Sequence, residues 1–391
     1  MRILHFNHHG TDVGGVEGYI IDASHALKRA GHESGLVYFE QDEPGDLLAD
    51  ISEFHEIVGS ANQEYLLTQA LDHFKPDIAF IHAVYDSIIV EWLIERLPVL
   101  TYVHGPYLVC PGSAQYLRRH RKVCPYQPGY MCLIRAQTEQ CCFGRNPVRH
   151  WMQLRKVYSY LRTYRHLRVL VGSTFMRDLL IRSGIAGEQI TISAPILLSS
   201  TTPFPQYNNR SRQILFAGRL VPEKGLDILI RAMGNVNGQW RLLIAGEGPE
   251  RSRIEALVQH LNMQDQVEFL GWCSESRMER LYEQSAFVVI PSLWPEPYGR
   301  IGIEAAIHGR PAIAFDVGGV GDWLTDGMNG CLVPANDTHS LTACIQRLLD
   351  DYDYRQRLGR HAYEYAFERW SEVEQVDRLV SHFEAALTYW K

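Results

Sequence analysis

Short apolar runs alternate along this chain with segments whose apolar positions recur at helical spacing, and the alternation is regular enough to name elements. In the first half, strands fall at 2–8, 34–40, 78–82, 99–103, 168–172 and 190–194. Helices fall at 17–30, 63–73, 86–96, 148–166 and 174–183. A Pro/Gly/Cys-rich stretch over 105–146 follows neither period and reads as irregular. Past a polar, proline-bearing segment the pattern restarts, with strands at 213–217, 241–245, 267–270, 286–290 and 311–315 and helices at 225–234, 250–261, 275–284 and 300–308. Three helical stretches, near 338–350, 353–368 and 371–389, close the chain.

Alternation of this kind implies an α/β fold of two Rossmann-like, doubly wound parallel sheets facing across a cleft, with ligands beyond the carboxyl ends of the strands. The expected divisions are a first domain at 1–198 with an insert at 105–146, a linker at 199–211, a second domain at 212–370, and a C-terminal helix at 371–391 that returns to brace the first domain. A length of 391 residues fits two cores better than one. No apolar run approaches the ~20 residues of a membrane-spanning helix. The N-terminal run Met1–Phe6 lacks the apolar core of a signal peptide. The reading is a soluble, cytoplasmic protein with reduced thiols.

Candidate chemistry concentrates in the second half. After the apolar run Phe287–Ile290 comes Pro291-Ser-Leu-Trp-Pro-Glu296-Pro-Tyr298-Gly299-Arg300-Ile-Gly-Ile-Glu304. Prolines on both sides hold Glu296 extended, Gly299 permits close backbone approach, and Glu304 falls in the early turns of the next helix. Two carboxylates so placed suit a polyhydroxylated ligand. Alone, the pair reads first as a solvated loop acid and a first-turn helix acid, ahead of a binding role. A second turn, Gly218-Arg219-Leu-Val-Pro-Glu-Lys224-Gly225, sets a guanidinium and an ammonium at a strand's carboxyl end, where they can hold a diphosphate. Alone, it reads equally as a solvated surface turn.

Taken together, these segments resemble family-4 retaining glycosyltransferases of the GT-B fold. Glu296 to Glu304 matches their paired-glutamate motif, and Gly218 to Gly225 their phosphate-binding Arg/Lys segment. Ala245-Gly-Glu-Gly-Pro249, the Val317-Gly-Gly to Gly330 stretch and Gly14-Gly15-Val-Glu17 also match. The resemblance implies that Arg219 and Lys224 bind the donor diphosphate, Glu304 the ribose hydroxyls, and Glu296 with the backbone of Tyr298, Gly299 and Arg300 the transferred sugar. It implies that the amides of Gly14 and Gly15 close on the diphosphate and that His104 lies near sugar and acceptor. No cofactor is required, the donor being a nucleotide-diphosphate sugar. No protein general base is assigned, because the departing phosphate oxygen takes the acceptor's proton. Two positions depart from the family pattern: Gly18, where members often carry Arg, and Ser193-Ala-Pro-Ile196 in place of a Pro-Asn-Gly hinge. A nucleotide-sugar epimerase and a non-catalytic sugar-nucleotide-binding homologue are the alternatives.

Charge adds one feature. Twelve Lys/Arg and a single acid, Glu139, lie between Tyr116 and Arg168, although the whole chain sums to −7. Trp151, Leu154, Tyr158 and Leu161 recur there at helical spacing, so the segment reads either as an ordinary buried helix face or as a site for an anionic membrane or lipid-linked glycan acceptor. No nucleic-acid recognition module is visible. Five cysteines, Cys110, Cys124, Cys132, Cys141 and Cys142, cluster in the same region. No Cys-x-x-Cys pair specifies zinc, so free thiols or packing stand beside a metal site. Asp351-Tyr-Asp353 lies between helices and reads as a polar junction, not a metal motif.

Overall fold

A computed structural model of the chain describes residues 1–10, 14–40, 53–56, 63–84, 86–142, 144, 146–196, 204 and 211–390. The segment expected as a linker, 199–211, lies outside the described residues except for Phe204 and Ser211.

The first domain contains β1 (Arg2–His9), α1 (Gly15–Arg29), β2 (Glu33–Glu40), β3 (Glu53–Glu56), α2 (Gln63–Phe74), β4 (Ile78–Ile81), α3 (Ser87–Ile94) and β5 (Val99–Val103). It continues through the hairpin β6 (Tyr116–Leu117) and β7 (Lys122–Val123), α4 (Met131–Thr138), α5 (Pro147–Tyr164), β8 (Arg168–Val171), α6 (Thr174–Arg182) and β9 (Ile190–Ile192). Seven strands form one parallel sheet in the order β3-β2-β1-β4-β5-β8-β9.

The second domain runs β10 (Gln213–Ala217), α7 (Leu226–Met233), β11 (Arg241–Ala245), α8 (Arg251–His260), β12 (Val267–Gly271), α9 (Glu275–Gln284), β13 (Phe287–Ile290), α10 (Arg300–Ile307), β14 (Ala312–Phe315) and β15 (Gly330–Val333). Its six parallel strands are ordered β12-β11-β10-β13-β14-β15. The strands are buried on both faces, which is why a run such as Phe287–Ile290 is apolar at every position. The winding reverses between β1 and β4 in one sheet and between β10 and β13 in the other, and a crevice opens at such a point beyond the strand ends.

Three helices follow: α11 (Thr338–Asp350), α12 (Tyr352–Arg369) and α13 (Glu372–Trp390). The Asp351 carboxylate caps α12 by accepting from the Tyr354 amide at 2.9 Å. α13 packs on the first domain. Val376, Leu379, Phe383 and Ala386 are buried with Ile3, Phe80 and Leu100, and Phe383 meets Phe80 edge-on at 5.1 Å between centroids. Full burial of one such ring contributes about 2–3 kcal/mol.

Three parts of the fold differ from the sequence reading. The stretch read as irregular holds the β6–β7 hairpin and α4. The polar edge strand β3 and the four-residue β15 carry no apolar signal long enough to mark them.

Candidate active site

The site is assembled at the carboxyl ends of the central strands. After β10 the chain turns through Gly218 and Arg219 into a short 3-10 turn at Pro222–Lys224. Gly225 closes this turn at φ +66°, and a Cβ there would lie 2.0 Å from the carbonyl oxygen of Pro291. Only glycine fits that approach. The contact and the hydrogen bond from the Leu293 amide to the Glu223 carbonyl, 2.8 Å, fasten the Lys224 turn to the Glu296 loop.

Across that junction Lys224 Nζ lies 2.6 Å from Glu296 Oε1, which also accepts from Ser292 Oγ at 2.5 Å. Glu296 is buried. Burial pushes its carboxyl up, but Lys224 and Ser292 outweigh burial and hold it below the usual carboxylate range. Arg219 is exposed, and its guanidinium has no partner among the described residues.

α10 begins at Arg300, so its first amides have no intrahelical acceptor and its positive end faces the crevice. Glu304 is doubly held: Oε2 accepts from the Tyr282 hydroxyl at 2.7 Å and Oε1 from Arg300 Nε at 2.6 Å. Arg300 then spans the domains, with Nη2 2.7 Å from Asp22 Oδ2 on α1. A Cβ on Gly18 would lie 2.9 Å from Arg300 Nη1. The space beside position 18 is thus filled by a guanidinium from the second domain.

Tyr298 is buried and largely committed to packing. Its carbonyl accepts from Trp323 Nε1 at 2.5 Å and its hydroxyl from Trp370 Nε1 at 2.7 Å. The preceding carbonyl, of Pro297, accepts from Ser173 Oγ of the first domain at 2.5 Å. Gly14 and Gly15 stand exposed at the start of α1, and Glu17 behind them is buried and accepts from Asn7 Nδ2 at 2.8 Å. His104 is half-buried beyond β5. A Cβ on its neighbour Gly105 would lie 4.0 Å from Pro297 Cγ, which places this strand end against the Glu296 loop.

All the residues singled out in the sequence are therefore described. Lys224, Glu296, Tyr298, Gly299, Arg300 and Glu304 form one connected unit in the second domain, and Gly14, Gly15 and His104 lie on the first. Sequence reasoning did not identify Asp22, Ser173, Tyr282 or Ser292. Asp22 and Ser173 act through contacts across domains and Tyr282 through a contact between α9 and α10, none of which local spacing encodes, whereas Ser292 reaches Glu296 four positions along the same loop.

The insert reaches the same turn from the other side. Arg118 pairs with Glu223 at 2.6 Å, and Arg121 grips Asp227 with two bonds of 2.8 and 2.7 Å. Tyr116 is buried in the second domain's core. Part of the insert's basic charge thus answers acids within the chain. Its five cysteines are free thiols, and among the described residues no three His, Cys, Asp or Glu are gathered as metal ligands. Cys141 is lowered to about 7 by a hydrogen bond from Cys142, and burial pushes Cys110 up to about 11. Tyr130, Met131 and Ile134 on or beside α4, and Val148, Trp151, Met152 and Tyr158 on α5, remain exposed. No described helix is long and apolar enough to cross a membrane.

Two family models match consecutive parts of the chain: Glycosyltransferase Family 4 over residues 13–194 and Glycosyl transferases group 1 over residues 202–365. An uncharacterized glycosyltransferase of Methanocaldococcus jannaschii is 33% identical over 178 residues, 45% of this chain and 45% of the relative. D-inositol 3-phosphate glycosyltransferase of Nocardia farcinica is 32% identical over 185 residues, 44% of this chain and 40% of the relative. The chain thus spans less than half the length of these curated relatives. The crystal structure of Anabaena HepE in complex with UDP superposes with a TM-score of 0.74 at 17% identity, over 98% of this chain and 100% of that one. With one family model on each sheet domain and the fold shared end to end, the chain belongs to the family-4, group 1 glycosyltransferases of the GT-B fold.

Proposed function

We propose that the chain transfers a sugar from a nucleotide-diphosphate sugar to an acceptor hydroxyl with retention of anomeric configuration. The observation that carries this reading is the Lys224–Glu296 contact at the mouth of the β10 and β13 strands, with Arg219 exposed on the same turn as Lys224 and two helix N-termini at the strand ends. Bond cleavage from anomeric carbon to phosphate leaves negative charge on the diphosphate. Lys224 and the α10 amides are fixed before that charge appears, Arg219 stands exposed on the same turn to meet it, and each such donor contributes about 3–4 kcal/mol to the barrier's reduction. Glu296 accepts hydroxyls of the transferred sugar, Glu304 those of the ribose, and the amides of Gly14 and Gly15 close from the first domain. His104 faces sugar and acceptor. The reaction draws on no metal or cofactor, and its acceptor is a glycan or lipid-linked glycan assembled at the cytoplasmic membrane face.

The uridine base is the first to test, since the solved relative holds UDP. Thermal shift against UDP, GDP, ADP and their glucose conjugates should single out one diphosphate, and incubation with that donor and an acceptor should give an α-linked product from an α-linked donor. Stabilisation by none of the nucleotides would sink the reading. Epimerised sugar formed without acceptor would assign the site to an epimerase.

The exposed apolar side chains on α4 and α5, interleaved with Arg135, Arg149, Arg155 and Lys156, support peripheral contact of 116–168 with an anionic membrane. Flotation should recover more protein with anionic than with neutral vesicles, and equal recovery removes this part.

A further inference from the structure

Behind His104 lies a row of imidazoles with no assigned role. His5 is on β1, His82 directly follows β4 and His104 directly follows β5, three neighbouring strands of one sheet. His104 Nε2 lies 2.9 Å from His82 Nδ1, and His82 Nε2 lies 3.0 Å from His5 Nδ1. The inner end meets Ser24 Oγ on α1 at 3.5 Å. His5 and His82 are completely buried, and His104 alone is half-open toward the cleft.

Burial lowers His5 and His104 to about 3 and drives His82 well below its ordinary range. The other titratable groups packed on His104 are Tyr19 of α1 and Tyr102 of β5, with ring centroids at 5.1 and 4.5 Å, and burial pushes both phenols up. The whole cluster is therefore uncharged at neutral pH. A neutral imidazole has one N–H and one lone pair. His82 uses both nitrogens, so if it donates to one neighbour it must accept from the other. The tautomers of the three rings are tied together, and the only ring nitrogen left over at the cleft end is Nδ1 of His104, which has no partner among the described residues.

We propose that His82 and His5 are positioning residues that hold His104 neutral, in one tautomer and one ring orientation, so that its Nδ1 meets the sugar or acceptor in a fixed hydrogen-bonding role. This rests on the cleft being the glycosyl-transfer site. The buried imidazoles are an expensive way to fill a sheet, since apolar side chains of similar volume pack there without needing partners. Held by His82, which is itself held by His5, the ring at the cleft cannot flip or protonate when substrate enters.

The test uses the full chain with ¹⁵N-labelled histidine. In the wild type, the His104 ring should show one neutral tautomer from pH 5 to 8. In His82→Phe it should show mixed tautomers or titrate near 6.5, with kcat down about 10²-fold and the donor's KM changed far less. His82→Gln, whose amide can donate and accept, should restore a single tautomer and most of kcat, which a mere packing role would not require. A wild-type His104 that titrates in this range, or a His82→Phe enzyme with unaltered tautomer and kcat, overturns the proposal. The spectra need no turnover, so they separate its failure from failure of the glycosyl-transfer reading. If His82→Phe does not fold, the wild-type and His82→Gln spectra still decide.

Discussion

Lys224 Nζ and Glu296 Oε1 lie 2.6 Å apart, so the cation proposed for the diphosphate and the carboxylate proposed for the sugar are bound to each other before any donor arrives. The pair keeps a buried carboxylate ionised and fixes both groups in place. On the proposed function, donor binding would exchange this one contact for one to the diphosphate and one to the sugar, with no charge stranded in between.

Lys224→Met should uncouple the pair. In the wild type, Glu296's depressed pKa contributes stability that is present above the ordinary carboxylate value of 4.5 and is lost as pH falls through the lower folded value. Without Lys224, burial dominates and the folded pKa rises, so the sign reverses: this group's contribution is largest at low pH and is lost as pH rises. The melting temperature of the variant, referenced to wild type, should therefore recover as pH is lowered from 7 to 4. Its kcat/KM should fall by about 10²–10³-fold.

Arg219 gives the complementary case. Its side chain is exposed and unpartnered among the described residues, so Arg219→Ala should change folding stability by less than about 0.5 kcal/mol. Turnover should still fall by about 10²–10³-fold. Arg219→Lys should restore little of it, because an ammonium cannot reproduce a bidentate fork on a diphosphate. Parallel melting curves and initial rates check both halves.

What could be read from sequence tracks how locally each feature is encoded. The apolar run Phe287–Ile290 and the punctuation Pro295, Pro297 and Gly299 mark strand, loop and helix start by themselves, and those elements fall within a residue or two of expectation. β3 is a polar edge strand recognised by backbone pairing to Gly35–Tyr38, and β15 opens with a glycine at a close approach to Ala312. Neither leaves a periodic signal. Asp22 looks like an ordinary helix acid until Arg300 arrives from the other domain, 278 positions away in numbering but 2.7 Å in space. His82 carried the same signal as His104, a histidine directly after an apolar strand, and could have been found by comparing the two strand ends.

The insert should behave as a clamp between domains. Arg121 and Asp227 form a two-bond ion pair in which Asp227 is buried, beside the turn that carries Lys224. A double-mutant cycle with Arg121→Ala and Asp227→Ala should give a coupling of about 1–3 kcal/mol in stability. Arg121→Ala should cost more than the pair itself, since it leaves a buried carboxylate with only Arg253 at 3.6 Å. Urea unfolding of the four proteins measures it.

Asp22 should give the domain contact a pH dependence. Burial pushes its carboxyl up from 3.8 to about 6, with Glu304 adding and Arg300 opposing. A raised folded pKa contributes stability that is fully present below 3.8 and lost as pH rises through about 6. Asp22→Asn lacks this titration. The wild type should therefore lose stability relative to Asp22→Asn between pH 4 and 7, read from melting temperatures. Small-angle scattering should show the wild-type domains no less compact at pH 5 than at pH 7, because protonation relieves the burial cost of this carboxylate in the closed arrangement, and no pH response of this kind in Asp22→Asn.

Gly302 ties the packing of α10 to the site it carries. A Cβ at this position would lie 2.0 Å from Trp323 Cη2, and the Trp323 ring is itself buried and held by its bond to the Tyr298 carbonyl. Neither partner can yield without moving the loop that bears Glu296. Gly302→Ala should therefore cost about 1–3 kcal/mol as an overpacked core position, although alanine favours a helix by about 1 kcal/mol. The displaced helix moves Arg300 and Glu304 together, so the donor's dissociation constant should rise along with the loss of stability. Trimming the ring with Trp323→Leu in the same chain should return part of the stability but little of the affinity, because the carbonyl of Tyr298 then lacks its donor. Calorimetry on the single and double variants separates crowding from positioning: equal recovery of stability and affinity would mean that Trp323 only fills space.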